Sequence, residues 1–203
     1  MVAIVDYGVG NLFSLQCSLN AIGAEITVTA DPEVLKSADQ VLLPGVGAFG
    51  DAAEKLRSTG LDTVLRDLAA QGKPLLGICL GMQLLFEKSY EYGEHTGLGL
   101  LQGQVVPMAG KLPAALKIPH MGWNQLKQVK ECPILDGVDG KDFYFVHSYH
   151  AVLDDIENLS ATADYGFDVT AAVSKDNVFA TQFHPEKSGV PGLKILKNFV
   201  SLE

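Results

Sequence analysis

The alternation of short β-rich runs with segments of helical period is the feature that most constrains this chain. Val2 to Val5, Glu25 to Val28, Gln40 to Leu43 and Pro74 to Ile78 read as strands. Asn11 to Ile22, Ala48 to Ser58, Leu61 to Gln71 and Gly81 to Glu87 read as helices, each opened or closed by glycine or a polar cap. Strand and helix in strict succession predict a parallel sheet covered by helices. After Tyr90 the character changes: glycine and proline become frequent from Gly93 to Pro119. Short strands follow at Asn124 to Val129, Asp142 to Val146, Ser160 to Ala163, Val169 to Ser174 and Val178 to Gln182, and a helix from Gly192 to Val200 closes the chain. The expectation is an α/β fold, an open and mostly parallel central sheet flanked by helices, with a β-rich C-terminal extension of the same sheet. At 203 residues, positions 1–203 fit a single domain.

Composition removes several classes of function. Hydrophobic residues make up 47% and charged residues 19%, a globular balance without the signature of disorder. The net charge of -9 opposes a phosphate backbone, so small molecules or proteins are expected as partners, not nucleic acid or an anionic membrane. Cys17, Cys79 and Cys132 are widely and irregularly spaced, which gives neither a disulfide framework nor a CxxC metal pair. Their odd number points to free thiols in a reducing compartment, the cytoplasm. The N-terminus lacks the basic region of a signal sequence, and no apolar run reaches spanning length.

The chemistry concentrates at two places. Lys73 to Ile78 is a strand feeding directly into Cys79, and a helix starts at once with Leu80-Gly81-Met82-Gln83. Gly77-x-Cys79-x-Gly81 is the cysteine counterpart of the GxSxG elbow, in which flanking glycines relieve crowding around a nucleophile held in a strained turn. The helix start favours a thiolate, and the Leu80 N–H can hold an oxyanion. Such a pattern also surrounds buried structural cysteines, the reading taken for Cys17 and Cys132, so catalysis at Cys79 requires a base.

His184-Pro185-Glu186 supplies one. The proline ends the preceding strand and stiffens the link, so Glu186 can orient the His184 ring. The bland reading makes His184 a strand cap and Glu186 a solvated loop carboxylate. His147-x-x-His150 lacks the helical setting and the glutamate of a zinc motif, and on a strand the two rings would face opposite ways, so no metal is expected. Gly8-x-Gly10 has Phe13 where a dinucleotide loop has its third glycine, which disfavours nucleotide binding. The loop at Pro44-Gly45-Val46-Gly47 follows a strand and should lie beside the elbow. There it is either a plain tight turn or the source of a second oxyanion donor, at Val46 or Gly47. The order of acid and base, with Glu186 after His184, argues against an α/β-hydrolase.

Taken jointly, Gly77-Ile78-Cys79-Leu80-Gly81-Met82-Gln83, Pro44 to Gly47 and His184-Pro185-Glu186-Lys187 resemble the class I, triad-type glutamine amidotransferases, over essentially the whole chain. Within that family Pro44 to Gly50, Asp6-Tyr7-Gly8-x-Gly10-Asn11 and Pro119-His120-Met121-Gly122-Trp123-Asn124 are similar to the glutaminase subunits of imidazole glycerol phosphate synthases. The sister glutaminases of pyridoxal phosphate synthesis carry a different glycine-rich motif at Pro44 to Gly47. The resemblance implies hydrolysis of glutamine to glutamate and ammonia without a cofactor, in histidine biosynthesis, and a heterodimer with a separate cyclase subunit that receives the ammonia. It implies Cys79 as nucleophile, His184 as base, Glu186 as its orienter, and Gly45, Gln83, Ser148 and Tyr149 around the bound glutamine. It also places Gly8, Gly10, Asn11, Trp123 and Lys187 at the partner interface. Trp123, the only tryptophan, fits a core position or a partner anchor equally well on sequence, and the resemblance tips it to the interface.

Overall fold

Apolar residues at successive positions of a strand must be buried on both of its faces, and the first strands of this chain follow that rule. In the computed structural model, which describes residues 1–202, β1 (Val2–Val5), β3 (Gln40–Leu43) and β4 (Leu75–Ile78) are fully buried. Successive side chains go to opposite sides, as the period of two requires. Ala3, Val5, Val41, Leu43 and Leu75 enter one apolar cluster, and Val2, Ile4, Leu42, Leu76 and Ile78 enter the other.

The intervening elements are α1 (Leu12–Ala21), β2 (Ile26–Thr29), α2 (Pro32–Ser37), α3 (Phe49–Ser58), α4 (Leu61–Ala70) and α5 (Leu80–Leu84). Then come β5 (Phe86–Ser89), β6 (His95–Thr96), β7 (Leu101–Pro107), β8 (His120–Gln128), β9 (Asp142–His147), β10 (Tyr149–Leu153), β11 (Leu159–Asp164), β12 (Asp168–Lys175), β13 (Val178–Thr181) and α6 (Gly189–Val200). Leu15 and Leu19 of α1 and Ile195, Leu196 and Phe199 of α6 cover one face of the sheet. Leu35 of α2, Leu56 of α3 and Leu65 and Leu68 of α4 cover the other. The result is a layered α/β arrangement.

Nine strands form the main sheet in the order β2-β1-β3-β4-β13-β12-β11-β8-β9. From β2 to β13 neighbouring strands are parallel, and from β13 to β9 they are antiparallel. The β-rich extension therefore continues the same sheet, as expected from its run of short strands. A second sheet, β10-β7-β5-β6, goes beyond that expectation. Its strand β7 lies in the glycine- and proline-rich stretch. Gly103 owes its place there to close packing, since a Cβ would overlap the Val152 carbonyl oxygen of β10.

Two further differences have local causes. The helix expected over Gly81 to Glu87 stops at Leu84, because the Leu98 N–H binds the Leu84 carbonyl at 2.8 Å and the Leu100 N–H binds that of Leu85 at 2.9 Å. Those carbonyls are then committed to tertiary bonds, and the chain turns into β5. The short α2 is an additional helix, too brief to show a helical period. Asp31 caps it through the Glu33 N–H at 2.9 Å, and Pro32 occupies its first turn.

Candidate active site

The reversal between β4 and α5 is made by Cys79 alone, with φ 55° and ψ −108°. An L-residue seldom adopts that conformation, and it persists only where the surroundings over-determine it. They do so here. The Cys79 N–H donates to the Thr181 carbonyl of β13 at 2.8 Å. A Cβ on Gly77 would come within 2.8 Å of the Gly81 carbonyl oxygen, and one on Gly81 would overlap the Leu43 carbonyl oxygen of β3. Both glycines are thus demanded by backbone passing backbone, and the elbow is clamped between the two strands beside β4.

His184 sits just beyond the end of β13, its N–H donating to the Tyr144 carbonyl at 3.0 Å. Pro185 opens a 3-10 turn, Pro185–Lys187, that brings Glu186 back toward the ring. The His184 Nδ1 lies 2.7 Å from Glu186 Oε1, with both side chains almost fully buried. This removes the bland reading of Glu186 as a solvated loop carboxylate. Nε2 is left as the free nitrogen and, among the described residues, makes no well-formed hydrogen bond of its own. Catalytic bonds are commonly loose before substrate binds.

Burial is the largest influence on the His184 pKa and pulls it down. Hydrogen bonding and charge from Cys79 and Glu186 together overcome it and push the value up to about 10, from an ordinary 6.5. A histidine raised in this way stabilises the fold fully below about pH 6.5, and the contribution is lost as pH rises through about 10. Nuclear magnetic resonance titration of the imidazole should find the proton retained well above pH 7. In Cys79→Ala, which deletes one of the two groups that raise the pKa, the midpoint should fall; an unchanged midpoint would show that sulfur and imidazole do not interact.

Cys79, Leu80 and His184 line a cavity of about 320 Å³, together with Val46, Gly47, Gln83, Glu91, Val146, His147, Ser148 and Tyr149. Among the described residues, the Leu80, Val46 and Gly47 N–H groups donate to no protein acceptor. Gly47 has φ +94°, a backbone that only glycine holds without strain, and the space where a Cβ would stand is open. Gly45 is buried, where a Cβ would meet the Tyr7 hydroxyl at 2.7 Å and the Gly81 nitrogen at 3.0 Å, so the absence of a side chain lets the loop pass the elbow. Tyr7 fixes this loop by donating to the Pro44 carbonyl at 2.8 Å. Burial first, and the Cys79 charge second, push its pKa above the usual phenol range, which keeps that donor protonated.

Gln83 is buried and donates to the Tyr149 carbonyl at 3.2 Å and to Gln182 Oε1 at 3.0 Å. Ser148 and Tyr149 also line the cavity, half-buried. Sequence reasoning misses Glu91, a cavity carboxylate whose Oε2 accepts the Phe49 N–H at 2.6 Å. It also misses Gln182, and neither residue belongs to a local motif that would mark it. His147 and His150 do not converge. His147 pairs with His120 at 3.0 Å, and His150 pairs with Lys111 at 3.1 Å.

The match to known proteins is decisive. A family model described as class-I glutamine amidotransferase covers residues 3–202. This chain belongs to that family. The amidotransferase is 51% identical over 201 residues to the imidazole glycerol phosphate synthase subunit HisH of Sulfurimonas denitrificans, covering 98% of this chain and 97% of that protein. With the HisH subunit of Aquifex aeolicus it shares 52% over 198 residues, 97% of this chain and 94% of that one. Among solved structures, a glutamine amidotransferase superposes with a TM-score of 0.76 at 22% identity, over 98% of this chain and 99% of the other. PurLQS from Thermotoga maritima gives 0.76 at 21%, over 98% and 96%. At these identities the two structures speak for the fold.

The residues that resemblance assigned to an interface lie on this amidotransferase in two groups. Trp123 is 56% exposed on β8, which excludes a core position. Its ring meets that of Tyr144 edge-on at 5.9 Å, and Lys187 Nζ stands 5.8 Å from the Tyr144 centroid. Gly8 and Gly10 take positive φ in the loop after β1, where Gly10 packs toward Pro44. Asn11 caps α1 by accepting the Ser14 N–H at 3.4 Å and lines a small cavity beside Glu186.

Proposed function

We propose that this amidotransferase is the glutaminase subunit of an imidazole glycerol phosphate synthase, making ammonia for histidine biosynthesis in the cytoplasm. One observation carries the reading: Cys79 in a strained elbow and His184, whose ring is held by buried Glu186, line one cavity at the ends of adjacent strands. In this mechanism the Cys79 thiolate attacks the δ-carboxamide carbon of glutamine, and the oxyanion is held by the Leu80 N–H with a second N–H from Val46 or Gly47. His184 protonates the departing nitrogen, ammonia leaves, and a glutamyl thioester remains. His184 then takes a proton from water, which attacks the thioester and releases glutamate. Glu186 holds the ring through Nδ1 in both steps. Glu91 is the anionic group placed for the substrate α-ammonium, with Gln83, Ser148 and Tyr149 shaping the walls. No cofactor enters these steps.

Relatives of about 50% identity over nearly the full length are named as subunits of one synthase, which supports a partner subunit here. The partner in this reading is the cyclase. Exposed Trp123 with Tyr144 and Lys187, and the loop of Gly8, Gly10 and Asn11, form its docking surface. Tyr144 also accepts the His184 N–H through its carbonyl, so partner contact has a short route to the base. Mixing the chain with a cyclase subunit should give a stoichiometric complex in which glutamine hydrolysis switches on and a glutamine-mimicking electrophile labels Cys79. A complex that forms without hydrolysis or labelling would leave only a binding module.

A further inference from the structure

We infer that Gln182 is a positioning residue for the nucleophile, its side-chain amide donating to Cys79 Sγ and favouring the thiolate. Gln182 is fully buried just after β13, two residues before His184, and its Nε2 lies 3.8 Å from Sγ, a long contact for a sulfur acceptor. The two ends of a carboxamide are nearly alike in shape, but here the surroundings tell them apart. The Tyr149 carbonyl can only accept, so the nitrogen of Gln83 must face it. The same nitrogen stands 3.0 Å from Gln182, which must therefore present its oxygen. That leaves the Gln182 nitrogen facing the sulfur. The orientation follows from a chain of donors and acceptors anchored on a backbone carbonyl that cannot reverse.

The other neighbour of Sγ acts the opposite way. The Val146 carbonyl lies 3.9 Å away and can accept only from the protonated thiol. Sγ thus sits between an acceptor that holds the S–H form and a donor that favours S⁻, and His184 takes the proton between them. A hydrogen bond to the charged form of a group lowers its pKa. Gln83 has a second duty in this scheme: beyond lining the cavity, it keeps the Gln182 amide from turning its oxygen toward the sulfur.

This inference rests on Cys79 being the nucleophile, and the test separates the two. The full chain is treated with iodoacetamide over a range of pH, and the modification of the Cys79 peptide is followed by mass spectrometry, which keeps exposed Cys17 out of the signal. Gln182→Met removes the donor without adding charge and should move the Cys79 alkylation midpoint to higher pH, slowing alkylation several-fold at pH values below both midpoints. Gln182→Glu keeps the oxygen that Gln83 needs and turns a carboxylate on the sulfur, so its midpoint should rise further. A merely structural role would change the total reactivity or the melting point but leave the midpoint in place. A wild-type midpoint in the folded Met variant overturns the inference; where that variant does not fold, an unmoved midpoint in the Glu variant overturns it. Failure of the nucleophile assignment itself would appear differently, as glutaminase activity persisting in Cys79→Ala with Gln182 intact.

Discussion

An assembled enzyme carrying Cys79→Ala should release glutamate from glutamine at least about 10⁴-fold more slowly than the wild type, because a covalent route that loses its nucleophile keeps only the residual catalysis of binding and oxyanion donors. The substitution is small, but Cys79 holds φ 55° and alanine must adopt it too, so complex formation is the necessary control. The partner's own reaction, driven by ammonia added in solution, should be unaffected. That split between glutamine-dependent and ammonia-dependent turnover distinguishes loss of chemistry from loss of assembly. Retained hydrolysis in the alanine variant would remove Cys79 from the mechanism.

The second large effect concerns the fold that supports the elbow. Gly81→Ala should destabilise the protein by about 3 kcal/mol or more, or prevent folding, because the new Cβ overlaps the Leu43 carbonyl oxygen and neither partner is a flexible side chain. To relieve the overlap β3 would have to part from α5, which would carry the Pro44 to Gly47 loop away from the cavity. Gly72→Ala provides the comparison. Gly72 has φ +84°, but a Cβ there would meet no atom within 4 Å, so the change should cost only about 1 kcal/mol, the strain of a left-handed alanine. Urea unfolding of the two variants measures the difference directly. Equal losses would mean that β3 gives way to the new Cβ at little cost.

The parallel half of the fold was legible because its strands are marked twice, by their own apolar runs and by the helices between them. Val2–Val5 and Gln40–Leu43 fall where the sequence places them. The second sheet was not legible. Gly103 looks like a loop residue until Val152 is seen pressing against it, and the end of α5 is set by N–H groups from Leu98 and Leu100, which no local pattern reveals. The site divides in the same way. Cys79, His184 and Glu186 are carried by short motifs with stiff local geometry, and the structure brings the first two to one cavity with Glu186 on the His184 ring. Glu91 and Gln182 act across long separations in sequence, through Phe49 and Gln83 respectively, so only folding discloses them.

In the main sheet β3, β4 and β13 lie side by side, though everything from α5 to β12 intervenes in sequence between the last two. Their aligned ends present, in order, the glycine loop, the sulfur and the imidazole. The ladder of hydrogen bonds between these strands therefore sets the spacing of the reactive groups, while the long excursion between β4 and β13 returns Gln83, Glu91, Ser148 and Tyr149 to the same cavity.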